Sequence, residues 1–171
     1  MKFFFFIIIT IFFFKIGFSE ENNLKYIDLN YIINNSLIGK GIINNLNKKN
    51  EKLIEEYKLL EKKLEAQKNE ILSQQNILEK KDFDKKVLKH ESEVKEYKIK
   101  RQNDLNILNN EKKDLTNQLL KLIDKILIDY SKNNNIDLII KKETLIVSNS
   151  KLDITDSILE NLNANYKKLN K

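Results

Sequence analysis

Residues 51–80 read EKLIEEYKLLEKKLEAQKNEILSQQNILEK, and the spacing of the inward-facing side chains in that stretch decides the fold. Leu53, Tyr57, Leu60, Leu64, Gln67, Ile71, Gln74 and Leu78 recur at alternating intervals of four and three. That is a heptad seam, the pattern of a helix laying one narrow stripe against another helix. Glu51, Glu55, Glu56, Lys58, Glu61, Lys62 and Lys63 fill the positions between as a solvated face of mixed sign.

A second amphipathic run follows: Val87, Val94, Tyr97, Leu105, Leu108, Leu115, Leu119, Leu122, Ile126 and Tyr130, with a slip of phase between Tyr97 and Leu105. Residues 42–130 contain neither Pro nor Gly. One unbroken helix would leave both stripes uncovered, so two helices of about 40 residues, each roughly 60 Å long, should fold back on one another. The run Lys80-Lys81-Asp82-Phe83-Asp84 interrupts the pattern and is the expected place of reversal, near 80–84. Polar residues in the seam (Gln67, Gln74, Arg101, Lys112) should weaken the packing and leave the arm bendable.

The flanks change period. In residues 25–30, Ile27 and Leu29 alternate with Asp28 and Asn30, a strand signal. Asn34, Asn35 and Ser36 offer caps, and Gly39 and Gly41 permit close packing as the chain enters helix. Asn133, Asn134 and Asn135 should end the second helix, since Asn tolerates the left-handed conformation. Residues 136–141 form a nearly continuous apolar strand, expected to be covered on both faces. Leu145, Ile146 and Val147 should add a third strand across a turn at 142–144. Asp153 or Thr155 should cap a last helix presenting Ile158, Leu159, Leu162 and Tyr166 inward.

The fold class is therefore α+β. A small β-rich body, residues 20–41 and 131–171, carries a long antiparallel two-helix arm, residues 42–130. The arm is inserted between strand 1 and a C-terminal β-hairpin plus helix. Three short strands and one helix bury little apolar surface and leave open edges, so the body should oligomerise through its sheet.

The first nineteen residues stand apart. Met1-Lys2 is a short positive region, residues 3–14 are apolar except for Thr10, and Gly17-Phe18-Ser19 sets small residues at a cleavage site. This is a secretory signal peptide. Its apolar run is short for the roughly 20 residues that a bilayer core requires. Eight of the nine Phe lie within it, and losing Lys2 and Lys15 lowers the net charge from +6 to +4. Cysteine is absent from all 171 residues, which excludes lipid attachment at a processed N-terminal Cys. The expected location is the periplasm, in soluble form after cleavage.

Chemistry finds no foothold. His90 is the only histidine, so a zinc site lacks ligands. The carboxylates sit in helical charge patterns, no Ser occupies a nucleophile motif, and three Gly cannot build a phosphate loop. The chain reads as a binding protein and not an enzyme, with no cofactor and no metal. The basic balance (pI near 9.2) does not point to nucleic acid, because acids are interspersed throughout and export removes the chain from it. Lys80, Lys81, Lys85, Lys86 and Lys89 form a basic cluster at the arm tip. Plain solubility accounts for them as well as steering toward acidic partners or an anionic lipid surface.

Tyr26-Ile27-Asp28-Leu29-Asn30, followed by Asn35-Ser36 and Gly39-Lys40, resembles the opening strand and helix entry of the Skp/OmpH family of periplasmic chaperones. Residues 136–140, then 145–147, then Leu152-Asp153-Ile154-Thr155-Asp156 before Ile158-Leu159, look like that family's C-terminal hairpin and closing helix. The resemblance spans the whole mature chain in the same order. It implies a homotrimer whose strands make a barrel-like body, with three arms around a cavity that holds unfolded outer-membrane β-barrel proteins without ATP. Ile27, Leu29, Leu138, Ile140 and Ile146 are then the candidates for the core of the trimer body. The chain departs from the family in its richness in Asn, Lys and Ile, and basic clusters known elsewhere in the family do not carry over residue by residue. The competing readings are an envelope structural or adaptor protein docking one fixed partner through the arm, and a signal-anchored coiled-coil subunit of the inner membrane.

Overall fold

The computed structural model describes residues 23–167. The signal-peptide reading, on residues 1–19, lies outside the described residues. The chain runs β1 (Leu24–Ile27), α1 (Leu29–Asn35), α2 (Leu37–Ser73), α3 (Lys80–Asn133), β2 (Leu138–Lys141) and α4 (Thr155–Asn165), with short 3₁₀ turns at Lys142–Thr144 and Ser150–Leu152. The expected α+β layout holds: a strand, an antiparallel two-helix arm, a second strand and a closing helix.

β1 and β2 pair in parallel, with Leu24 opposite Leu138 and Ile27 opposite Lys141. Parallel pairing demands a long crossover, and the arm supplies it. On its other side β1 bridges to Asp153, where the Ile154 N–H donates to the Tyr26 carbonyl at 3.0 Å. β1 is therefore central and β2 is an edge strand.

That arrangement corrects two expectations. Residues 145–147 do not form a third strand: the 3₁₀ turn at Lys142–Thr144 does not fold the chain back as a hairpin along the free edge of β2. Ile146 is consequently wholly exposed. β2 is not covered on both faces either, since Leu138 is 51% exposed at the sheet edge.

The core comprises Ile27, Ile32, Ile38, Leu119, Ile123, Ile126, Ile154, Ile158 and Leu162. Each fully buried Ile or Leu contributes about 1.5–3 kcal/mol of transfer free energy. Three of these residues sit on α3 within 42–130, so the last part of the second arm helix is also a wall of the body. Leu159 and Tyr166 pack against the same cluster.

Side-chain caps join the pieces. Asp28 caps α1 by accepting from the Tyr31 N–H at 2.8 Å and takes the Lys142 ammonium at 3.0 Å on its other oxygen. Its own N–H donates to Thr155 Oγ1 at 2.8 Å, so one residue fastens α1, the turn after β2 and the start of α4. Buried Ser36 caps α2, accepting from the Gly39 N–H at 3.0 Å. At the other end of the arm Asn135 adopts φ +52°, and the Ile136 N–H reaches back to the Ser131 carbonyl at 3.0 Å, closing α3 with a Schellman motif.

In the arm, all eight seam residues from Leu53 to Leu78 are buried or half-buried. The reversal occupies residues 74–79, ahead of the expected 80–84, which instead form the first turns of α3. Gln74, Gln75 and Asn76 supply the polar break there, whereas the Lys-Lys-Asp run is compatible with an exposed helix face.

Candidate functional site

The arm has a polar clasp midway along it. Tyr57 is buried in the seam and donates its hydroxyl to Asp104. Lys100 bridges Asp104 at 2.9 Å and Glu56 at 3.0 Å, lying 5.2 Å from the Tyr57 ring centroid. On the opposite flank Tyr97 donates to Glu61, which also takes Arg101 at 2.9 Å. The two tyrosine rings meet edge to face with centroids 5.9 Å apart. Burial, and then the Asp104 carboxylate, pushes the Tyr57 phenol upward; burial, and then Glu61, does the same for Tyr97. The Tyr57 hydroxyl, and then Lys100, hold the Asp104 carboxyl below its ordinary value. Hydrogen bonds from Lys100 to Asp104 and Glu56 raise the lysine. Every polar group of the clasp is paired, which makes it a register lock and not a reactive centre.

The clasp also explains the slip of phase in the second run. Asp104, not Leu105, turns toward the seam, and Leu105 is 38% exposed. The slip was the one sign of this in the sequence. Arg101 reaches over from the flank and Lys112 is exposed, so neither occupies the seam, whereas Gln67 and Gln74 do.

The five tip lysines divide between faces. Lys80, Lys81 and Lys85 surround a hollow with Asp82, Asp84 and Leu88, while Lys86 donates to Gln74 across the reversal and Lys89 lies 3.8 Å from Glu93. Lys80 and Lys81 sit at the positive end of the α3 dipole, a placement unfavourable to the helix itself. Ile77 projects from the reversal beside them, 80% exposed.

Of the candidates for the body core, Ile27 is buried, Leu29 packs against the core and Ile140 is half-buried. Leu138 and Ile146 belong to the surface, not the core of a single chain, because β2 has a free edge and residues 145–147 leave the sheet. Val147 is likewise almost fully exposed. His90 is half-buried in the seam, and no group of three His, Cys, Asp or Glu among the described residues could hold a metal. Among the described residues, no helix is long and apolar enough to cross a membrane.

The model of the family described as outer membrane protein (OmpH-like) matches residues 23–162. None of the curated proteins matches the sequence. Among solved structures, the chain is similar to a candidate outer membrane chaperone (OmpH-like) from Caulobacter crescentus CB15. The two superpose with a TM-score of 0.80 at 13% identity, over 87% of this chain and 88% of that one. At that identity the likeness is one of fold.

Proposed function

Since the chain belongs to the outer membrane protein (OmpH-like) family, we propose that it is an ATP-independent holdase chaperone of the periplasm, binding unfolded outer-membrane β-barrel proteins between helical arms. The observation that carries this reading is the arm surface. Large apolar side chains stand singly among charges along both helices, with Ile54, Leu59, Leu88, Ile99 and Ile107 all more than half exposed. Such a surface offers many weak, adaptable contacts and no single pocket with the burial of a hot spot. A protein that binds the unfolded form of its clients needs that kind of contact.

The assembly is a homotrimer closed through the body. The free edge of β2 and the exposed side chains of Leu138, Ile146 and Val147 are a liability in a lone chain and docking points in an oligomer. The tip lysines steer acidic clients and the arm ends toward anionic lipid surfaces.

An aggregation assay tests the reading. Without nucleotide, the protein should keep a urea-diluted outer-membrane β-barrel protein soluble and should ignore a folded control. An adaptor or spacer would do neither, and that result would replace the chaperone by the docking-arm reading.

A further inference from the structure

Among the described residues, two buried side-chain polar atoms have no hydrogen-bond partner: Gln67 Oε1 and His90 Nδ1. They belong to one place. Both residues line a hollow of about 200 Å³ between the arm helices, with Glu70, Lys86, Lys89 and Glu93 around its mouth and Ile71 beside it. Leaving buried polar atoms unpaired disfavours the closed seam at this layer, because water would satisfy both.

The layer is also poorly braced. Toward the body, the next links are the fully paired clasp of Tyr57, Asp104, Lys100, Glu61, Tyr97 and Arg101. Toward the tip, the cross-helix polar link is that of exposed Lys86 to Gln74. Between them, a narrow stripe including Leu64, Ile71, Val87 and Val94 holds the helices together. On the same flank a second hollow of about 460 Å³ runs from Gln67 and Glu93 to Leu60 and Tyr97.

We infer that the distal half of the arm is a concealed binding face: α2 and α3 part at the Gln67–His90 layer, and the seam there receives an extended segment of unfolded polypeptide. The inference rests on the holdase reading and names the surface it uses. The chemistry selects the occupant. Gln67 Oε1 takes a donor, and His90 Nδ1 takes a donor or, when it carries the ring proton, an acceptor. An extended chain supplies backbone N–H and C=O groups for both atoms and apolar side chains for the stripe. An acyl chain has no donor to offer. The flanks carry Glu70 and Glu93 as well as Lys86 and Lys89, which does not suit a polyanion.

The chain lacks cysteine, so an engineered pair across the layer meets no competing thiol. In the full-length secreted protein carrying Gln67→Cys and His90→Cys, oxidation should lower aggregation suppression at least fivefold, and reduction should restore it. Equal suppression in the two states overturns the inference. A second variant, Gln67→Leu with His90→Leu, removes the unpaired atoms without a crosslink. Its amide exchange in 64–73 and 86–94 should slow at least tenfold, with slower client capture; unchanged exchange overturns the inference even if the cysteine pair misfolds. Should the unmodified protein fail to suppress aggregation, the holdase reading falls instead, and the exchange comparison still decides whether the seam opens.

Discussion

A β-carbon at Gly39 would lie 1.6 Å from the Ile33 carbonyl oxygen, whereas one at Gly41 would meet nothing within 4 Å. Two glycines two residues apart in one helix thus do different things. Gly39 lets the first turn of α2 sit directly on the backbone of α1, and Gly41 is a helix-weakening residue on an open face. Gly39→Ala should destabilise the body by about 3 kcal/mol or more, because the obstruction is backbone and cannot swing away. Gly41→Ala should stabilise it by up to about 1 kcal/mol through helix propensity. Thermal unfolding of the two variants should move in opposite directions, and a common sign would refute the packing account. Asp28 makes the second prediction at this scale. The Tyr31 N–H, and then Lys142, hold its carboxyl below the ordinary 3.8. A lowered carboxylate contributes stability that is present above 3.8 and is lost as pH falls through its lower folded value. Stability measured against pH should drop in acid below about pH 4 for the native chain, and Asp28→Asn should flatten that part of the curve.

The arm was legible in the sequence because its seam repeats, and each of the eight seam residues from Leu53 to Leu78 turned inward as its spacing required. What the repeat could not reveal is where the arm stops being arm. Leu115, Leu119, Leu122 and Ile126 continue the same periodic run, yet Leu119 and Ile126 are buried in the body core with Ile123. A helix stripe has the same period whichever neighbour covers it. The missing third strand has a different cause: the β-branched pair Ile146-Val147 has strand propensity, but the 3₁₀ turn at Lys142–Thr144 does not fold the chain back along the free edge of β2. The clasp was hidden because Tyr57, Glu61, Tyr97 and Asp104 come together only once the register of the hairpin is fixed. These facts set where the arm can be removed. Replacing residues 54–107 by a short Gly-rich linker between Leu53 and Leu108, which line one hollow, should leave a cooperatively unfolding body without aggregation suppression. Excising 42–130 instead removes Leu46, Leu119, Ile123 and Ile126. At about 2–5 kcal/mol for each large core side chain, that loss exceeds what a domain stable by about 5–15 kcal/mol can tolerate. Circular dichroism of the two deletions should separate a folded protein from an unfolded one.

At the scale of the whole molecule, assembly and folding can be separated by mutation. Ile146 and Val147 are almost fully exposed in the single chain, so Ile146→Asp with Val147→Asp should dissolve the proposed trimer while each subunit keeps its helices and its unfolding transition. Ile140→Asp, on a half-buried position of β2, should unfold the subunit as well, since an unpaired charge would enter the sheet. Light scattering with circular dichroism distinguishes the two, and a monomeric native protein would rule out closure through these side chains. The parallel pairing of β1 with β2 also orders events in time. Asn23 binds Asp137 across 114 positions of sequence, so the first strand to emerge has no partner until almost the entire chain has followed it. At synthesis rates of about 5–20 residues per second, that wait is on the order of ten seconds. The hairpin of α2 and α3 can zip locally within microseconds to milliseconds of its own emergence. The body cannot close early. A chain built this way carries a finished arm on an unfinished body for most of its synthesis, and the residues from Leu138 onward act as the latch that ends that state.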